Sequence, residues 1–263
     1  MLEKAVAVEF VRRATSGRTG PLILTCETDA GEAIELFCKL SAGCDEGVTN
    51  LAREVVGACL AADLGLPVPK PFLIELSQRF IGAVSDSKTA RRMRESAPVA
   101  FGSTRVPNQF SVWTTATPIS DVLLPKAAAI FVFDAIIQNP DRRDSNPNCL
   151  VKGDEIRIID HELAFFSGPI IGWKPPWVLG GLRSLEDPGH HIFREGLRGR
   201  AIDFEPIIAS WSDLSDQRIR EYQGAIPGEW ATARSALDNA VRLISDARDN
   251  INGCIAEVRR VLE

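Results

Sequence analysis

Several features that would mark a specialised chain are missing from this sequence. Its 263 residues contain no apolar run near the roughly 18 residues of a membrane-spanning helix, and MLEKAVAVEF lacks the basic start of a signal peptide. The six cysteines form no CxxC pair and have no histidine at ligand spacing, so neither a disulfide framework nor a zinc site is predicted. The net charge of -5 argues against general nucleic-acid binding. We therefore expect a cytoplasmic globular protein without membrane or direct DNA contacts.

Strand-like patterns dominate the first third of the chain. The segments KAVAVEFVRRAT, LILTCET and AIELFCKL predict a three-stranded meander, and KPFLIEL predicts a further strand. Between them, apolar residues recur at helical spacing from Leu51 to Ala62, and Gly65 ends the predicted helix.

The second half of the chain is predicted to be mainly helical. Pro125 opens a helix that runs to Gln138, and amphipathic patterns resume from about Phe204. We predict an α+β, bilobal fold, with a small β-rich N-terminal lobe, a larger helical C-terminal lobe and a ligand cleft between them. The predicted parts are an N-terminal lobe at 1–81 (an antiparallel sheet plus one helix), a hinge region at 82–118 and a C-terminal lobe at 119–263, which carries the catalytic and metal-binding loops.

The stretch QNPDRRDSNPN is unusually rich in acids and amides. Asp141 and Asn146 lie in it, and Asp160 ends the strand-like IRIID nineteen residues after Asp141. Carboxylate and amide oxygens are the ligands that Mg²⁺ prefers, so Asn146 and Asp160 could share one ion while Asp141 orients a hydroxyl. The alternative is an ordinary turn, because aspartate and asparagine also bind their own backbone.

Three features upstream favour the chemical interpretation. Lys39 ends an apolar strand, where its ammonium needs a partner, although a lysine at a sheet edge can also extend into solvent. Glu54 lies on the flank of the buried stripe, although the helix dipole alone also favours a glutamate there. Gly17 and Gly20 would let backbone amides of a hairpin approach an anion, although the same glycines also fit an ordinary hairpin turn.

These features occur along the chain in the order expected for phosphoryl transfer from ATP. The glycine hairpin would cover the phosphates, and Lys39 would bind them and pair with Glu54. Lys39 with Arg142 or Arg143 would neutralise the developing charge. The predicted nucleotide-binding residues are Gly17, Arg18, Thr19, Gly20 and Lys39.

The sequence resembles the HipA-like kinases, and more remotely the phosphoinositide kinases. The resemblance rests on FDAIIQNPDRRDSNPNCLV, IRIIDHELAF and REVVGACLAADLGLPVP, and it extends from about residue 5 to 166. It implies a protein-kinase-like fold, ATP and Mg²⁺ as cofactors, a serine or threonine of a protein as acceptor, and a toxin role with an antitoxin partner. The implied site residues are Lys39 for ATP phosphates, Glu54 as its partner, Asp141 as catalytic acid/base, Asn146 and Asp160 for Mg²⁺, and Ser16 or Thr19 as autophosphorylation sites.

The sequence also departs from known kinase patterns. IDHE replaces Asp-Phe-Gly, and no histidine precedes Asp141, which disfavours an antibiotic kinase. The primary hypothesis is an ATP- and Mg²⁺-dependent serine/threonine-protein kinase. The alternatives are a nucleotide-binding regulatory module without turnover, and a kinase of a small molecule or lipid.

Overall fold

The N-terminal region of the chain folds into a closed five-stranded barrel. The structure, a computed structural model, describes residues 2–15, 17–165 and 172–263. Neighbouring strands are antiparallel except β1 and β4, whose parallel pairing closes the barrel in the order β1-β2-β3-β5-β4. Inward-facing apolar residues such as Leu22, Leu24 and Leu36 fill it. The strands are β1 (Glu3–Arg13), β2 (Leu22–Thr28), β3 (Ala33–Lys39), β4 (Pro71–Glu75) and β5 (Val99–Thr104).

Three helices accompany the barrel. The long helix α1 (Val48–Asp63) connects β3 to β4 and buries most of its length, including Leu51 and Val55. Two short helices, α2 (Gln78–Ala83) and α3 (Ser87–Arg94), lie between β4 and β5. Ser77 and Asp86 cap them by accepting hydrogen bonds from backbone amides in the first turn.

A buried helix and a small sheet follow the barrel. Helix α4 (Leu124–Ile137) has Pro125 in its first turn, and its C-cap residue Gln138 adopts a left-handed conformation with φ of 55°. Strands β6 (Ser111–Val112), β7 (Cys149–Lys152) and β8 (Glu155–Ile158) form an antiparallel sheet. The β7–β8 hairpin brings the loop after α4 beside the loop after β8.

The remaining described residues are mostly helical. Their apolar faces join α1, α4, β7 and β8 in the main hydrophobic core. No helix in the described part of the chain is long and apolar enough to cross a membrane. The helices are α5 (Arg194–Leu197), α6 (Glu205–Ser212), α7 (Asp216–Gly224), α8 (Arg234–Asp249) and α9 (Ile251–Leu262), and short 3₁₀ turns occur at Ser41–Gly43, Arg183–Leu185 and Gly228–Ala233.

The fold is α+β with a β-rich N-terminal region, as predicted. The range 82–118, predicted as a hinge, contains the barrel strand β5 and helix α3, whose Met93 packs in the barrel core, so the barrel continues beyond residue 81. The predicted antiparallel sheet is a barrel because β4 turns back beside β1 and pairs with it in parallel. The division of the chain into lobes stays a prediction.

Candidate active site

Lys39 is at the centre of a cluster of acidic side chains. It is the last residue of β3, and its side chain is 13% exposed. Its Nζ lies 2.8 Å from Glu54 Oε2, 2.7 Å from Asp160 Oδ1 and 3.2 Å from Glu162 Oε2. Burial alone would lower the pKa of Lys39, but the three carboxylates hold that pKa well above its ordinary value. The ammonium is therefore charged at neutral pH.

Glu54 projects from α1 into this cluster and is buried. Its Oε2 accepts hydrogen bonds from Lys39 Nζ and, at 2.9 Å, from the backbone N–H of His161. Burial alone would raise the pKa of Glu54, but Lys39 and His161 lower it below its ordinary value. Gly57, one turn further along α1, makes room for this contact, because a Cβ there would lie 2.6 Å from His161 Cβ. The close approach of α1 fixes the start of the loop after β8.

The loop after β8 presents two carboxylates to Lys39. Asp160 has a left-handed backbone with φ of 63°, which is uncommon for a residue other than glycine, and its side chain is 28% exposed. Asn50 Nδ2 anchors the loop by donating to the Glu162 carbonyl at 3.0 Å. Burial raises the pKa of Glu162, as do the charges of Asp160 and Glu54, while Lys39 opposes the shift. Glu54, Asp160 and Glu162 each place a carboxylate oxygen within 4.8 Å of the others.

Asp141 lies in the loop after α4 and is held by amides. Its Oδ2 accepts from Asn146 Nδ2 at 2.7 Å and from Asn148 Nδ2 at 3.1 Å, and its N–H donates to Asn139 Oδ1 at 3.1 Å. Its Oδ1 lies 3.9 Å from Arg143 Nε. The side chain of Asn146 donates to Asp141 through Nδ2, so its other side-chain atom, the amide oxygen Oδ1, can bind a cation. The amides therefore orient the carboxylate through Oδ2, and Oδ1 is on the side of Arg143.

Arg142 has a different position from the one that the sequence suggests. Its side chain is fully buried, and its Nε donates to Asp134 Oδ2 at 2.6 Å. Its NH1 group donates to the carbonyls of Asn148 and Ile159. A guanidinium bound to these groups does not reach a phosphate, so the interpretation of Arg142 as a charge neutraliser is wrong. Arg143 is half exposed and stays a candidate.

The glycine hairpin between β1 and β2 lies close to the Lys39 cluster. Gly17 and Gly20 have φ of 107° and 55°, which favour glycine. Arg18 pairs with Asp45 at 2.8 Å and lies 3.6 Å from Glu162 Oε1. Thr19 is buried, and Ser16, the other candidate autophosphorylation site, lies outside the described residues.

Helix α3 and its N-cap residue Asp86 also hold the hairpin through hydrogen bonds. Arg92 donates to the carbonyls of Thr19 and Gly20, the latter at 2.8 Å. Arg13, at the end of β1, binds Asp86 Oδ1 at 2.7 Å. Helix α3 therefore holds both arms of the hairpin.

A cavity of about 700 Å³ is lined by parts of the glycine hairpin, the Lys39 cluster and the loop after α4. The barrel contributes apolar side chains such as Phe37 and Phe101, and the segment 103–112 forms another side. This combination of apolar walls and converging polar groups is typical of a small-molecule site. Asp141 is not among the described lining residues, but Asn146 and Asn148, which bind its Oδ2, both line the cavity. The predicted site residues that line the cavity are Gly17, Thr19, Lys39, Glu54, Asn146 and Asp160.

Sequence reasoning missed several polar residues of this region. Glu162 and Asn148 lie within or beside the segments quoted for the active site, and their spacing alone did not separate them from ordinary loop residues. Asp134 gave a clearer signal, because a carboxylate inside the apolar run IFVFDAII needs a buried partner. His191 gave none, since its partner is 57 residues away.

A family model identifies the relatives of this chain. No curated protein matches the chain. Among solved structures, the crystal structure of the Helicobacter pylori proinflammatory kinase CtkA is similar, with a TM-score of 0.49, 11% sequence identity and 100% of both chains covered. The family model described as HipA-like kinase matches residues 7–169, which is more than half of the chain. The chain therefore belongs to the HipA-like kinase family.

Proposed function

We propose that the protein is an ATP- and Mg²⁺-dependent kinase that phosphorylates a serine or threonine of a protein. The observation that carries this proposal is the position of Lys39 Nζ, 2.8 Å from Glu54 and 2.7 Å from Asp160, in the wall of a cavity that Asn146 also lines. A lysine paired with a helix glutamate, beside an aspartate and an asparagine, is the polar set that kinases use around the phosphates of ATP. Family membership supports the same chemistry.

The chemistry of the donor set fits Mg²⁺. Asp160 and Asn146 both line the cavity and offer a carboxylate oxygen and an amide oxygen, which are hard ligands. These two residues would hold the ion, which when bound would screen the negative charge of the phosphate oxygens. The surplus of carboxylates around Lys39 favours a cation at this position.

Asp141 is the residue that we assign to the acceptor hydroxyl. Asn146 and Asn148 fix its Oδ2, so its Oδ1 is left to accept a hydrogen bond from the hydroxyl and then its proton. The hydroxyl oxygen attacks the terminal phosphorus, the bond to the bridging oxygen breaks, and ADP leaves with that electron pair. Orientation of the nucleophile is the main contribution of this residue.

Lys39 and the hairpin would hold the nucleotide. Glu54 keeps the Lys39 ammonium at the cavity wall, where it can bind phosphate oxygens, and Gly17 allows backbone amides of the hairpin to approach them. The choice of a protein serine or threonine as acceptor rests on the resemblance to HipA-like kinases. A toxin role and an antitoxin partner rest on the same resemblance.

Incubation with γ-labelled ATP, Mg²⁺ and a cell lysate tests the proposal. We expect ADP release and labelled serine or threonine in lysate proteins or in the chain itself, identified by mass spectrometry. Asp141→Asn should reduce transfer by about 10³-fold while nucleotide binding survives. Asp144→Asn, an exposed aspartate in the same loop, is the matched control and should stay active.

Two outcomes would contradict parts of the proposal. Full transfer by Asp141→Asn would remove that residue from the mechanism. A thermal shift with ATP and Mg²⁺ but no ADP or phosphoprotein would instead favour a nucleotide-binding module without turnover. A labelled small molecule or lipid would show that the acceptor class is wrong.

A further inference from the structure

A buried carboxylate on α4 organises the loop that carries Asp141. Asp134 is fully buried, and its Oδ1 accepts from Asn139 Nδ2 at 2.8 Å and from Arg142 NH2 at 3.3 Å. Its Oδ2 accepts from Arg142 Nε at 2.6 Å and lies 3.1 Å from His191 Nε2. Each carboxylate oxygen therefore has two partners, as a buried charge requires.

His191 has a defined proton arrangement in this cluster. Its Nδ1 accepts the backbone N–H of Phe193 at 3.1 Å, so the ring proton is on Nε2 and points to Asp134. The Phe131 ring packs edge-on against the imidazole, with centroids 4.8 Å apart. Burial lowers the pKa of His191, although the hydrogen bond to Asp134 opposes the shift. The imidazole is therefore a neutral donor with one acceptor atom and one donor atom, both in use.

Hydrogen bonds link Asp134 to the loop that carries Asp141 and to the loop that carries Asp160. Asn139, which binds Asp134, accepts the N–H of Asp141. Arg142, which binds the same carboxylate, donates to the carbonyl of Ile159, the residue before Asp160. One buried carboxylate thus fixes the loop of the proposed base and the start of the proposed metal-binding loop relative to each other.

The segment 189–192, which contains His191, contacts the loop 139–148, which carries Asp141. The N–H of Asp144 donates to the Gly189 carbonyl at 3.1 Å, and the N–H of Ile192 donates to the Arg142 carbonyl at 3.1 Å. This segment lies beyond residues 7–169, the part of the chain that the family model matches.

We propose that His191 is a positioning residue for phosphate transfer, which acts by donating from Nε2 to Asp134 and so fixes the loop of Asp141 against Asp160. The inference rests on the proposed function of Asp141 and Asp160. His191 itself does not touch the reacting atoms. Its donor completes the set of four around Asp134, and without it one lone pair of the buried Oδ2 would lose its partner.

Two substitutions test the contributions of the donor atom and the acceptor atom of His191 separately. His191→Gln places an amide N–H near the position of Nε2 and keeps the donor to Asp134, whereas His191→Asn places an oxygen near Nδ1 and keeps only the acceptor for Phe193. We expect the Asn variant to lose about 10- to 100-fold in kcat with little change in KM for ATP, because a small misplacement of catalytic groups has that effect. The Gln variant should stay within about threefold of the wild-type chain.

The measurement uses the full chain with Mg²⁺ and ATP and follows ADP release. Exposed His190, substituted by Asn and by Gln, is the matched control and should show no difference between the two amides. Hydrogen exchange provides a readout that does not need turnover. In His191→Asn, amides of 139–148 should exchange faster, while those of the barrel strand β2 should not change.

Equal kcat and equal exchange in the Asn and Gln variants would overturn the inference. Should His191→Asn fail to fold, the Gln variant decides alone, because a folded Gln variant with reduced turnover contradicts the proposed role of the donor. Absence of turnover in the wild-type chain would contradict the proposed function, whereas unchanged exchange in 139–148 would contradict the positioning role. The two failures are therefore distinguishable.

Discussion

The molecule has two charged clusters, one around Asp134 and one around Lys39, and their charge balances differ. In the cluster around Asp134, one carboxylate faces the guanidinium of Arg142 and the neutral ring of His191, all of them buried. In the cluster around Lys39, one ammonium faces three carboxylates within 3.2 Å in the described part of the chain. The first cluster is balanced within the protein, and the second keeps an excess of negative charge beside an open cavity.

The difference in charge balance predicts that the two clusters have different roles, one in stability and one in function. A balanced and fully hydrogen-bonded buried pair holds its elements in one arrangement, and loss of one partner leaves an uncompensated charge. Unbalanced carboxylates repel each other, so they reduce stability until a cation enters. We therefore expect removal of a charge from the Asp134 cluster to act first on stability, and removal of a charge from the Lys39 cluster to act mainly on turnover and on the response to Mg²⁺.

Among substitutions in the two clusters, Asp160→Asn should have the largest effect on activity. Loss of a proposed Mg²⁺ ligand should reduce ADP release by about 10²- to 10³-fold, the size seen when one electrostatic stabiliser is removed. The thermal shift that Mg²⁺ adds to ATP should also disappear. Both quantities are measured on the same protein, by a coupled ADP assay and by thermal unfolding.

The exposed Asp213 provides the matched control for this substitution. Asp213→Asn should leave both turnover and the Mg²⁺-dependent thermal shift unchanged. A Mg²⁺ response that persists in Asp160→Asn would place the ion elsewhere and would weaken the contrast between the two clusters.

Arg142→Met should have the largest effect on stability. It leaves the Asp134 carboxylate buried without its cation, which costs about 3–5 kcal/mol of the free energy of unfolding. Arg143→Met, one residue further and half exposed, should change that free energy by about 0.5 kcal/mol or less. Urea denaturation of the two variants measures the difference, and similar losses would show that the buried pair does not stabilise the loop.

The elements with strong local patterns could be predicted from the sequence. Helix α1 occupies the predicted run up to Gly65, and α4 begins beside Pro125 and ends before Gln138, because spacing and terminal residues suffice for such helices. Strand β5 was missed, since VAFGST is short and its Gly102 and Ser103 are typical of a loop. Tertiary pairing with β3 and β4 makes it a strand.

The site could be predicted only where its residues fall into a known order. Lys39, Glu54 and Asp160 are brought together as the order of motifs suggests, although their roles stay predictions. Arg142 was misplaced because a sequence does not show which of two adjacent arginines points inward. The partner that turns Arg142 inward is Asp134, on the preceding helix, and that partnership depends on folding.

Glu162→Gln should have the smallest effect, and its direction is the most specific test of the unbalanced cluster. Burial and the neighbouring carboxylates raise the pKa of Glu162, so the folded chain binds this proton more tightly than the unfolded chain does. At pH 7, above the ordinary glutamate pKa, this shift therefore reduces stability, and Gln should raise the Tm in protein without added metal or nucleotide. As the pH falls towards the ordinary glutamate pKa of about 4.3, Glu162 becomes protonated in the wild-type chain and the difference in Tm should shrink. Exposed Glu27→Gln is the control and should change the Tm little at any pH, whereas a lower Tm for Glu162→Gln at pH 7 would mean that its pairing with Lys39 outweighs the repulsion.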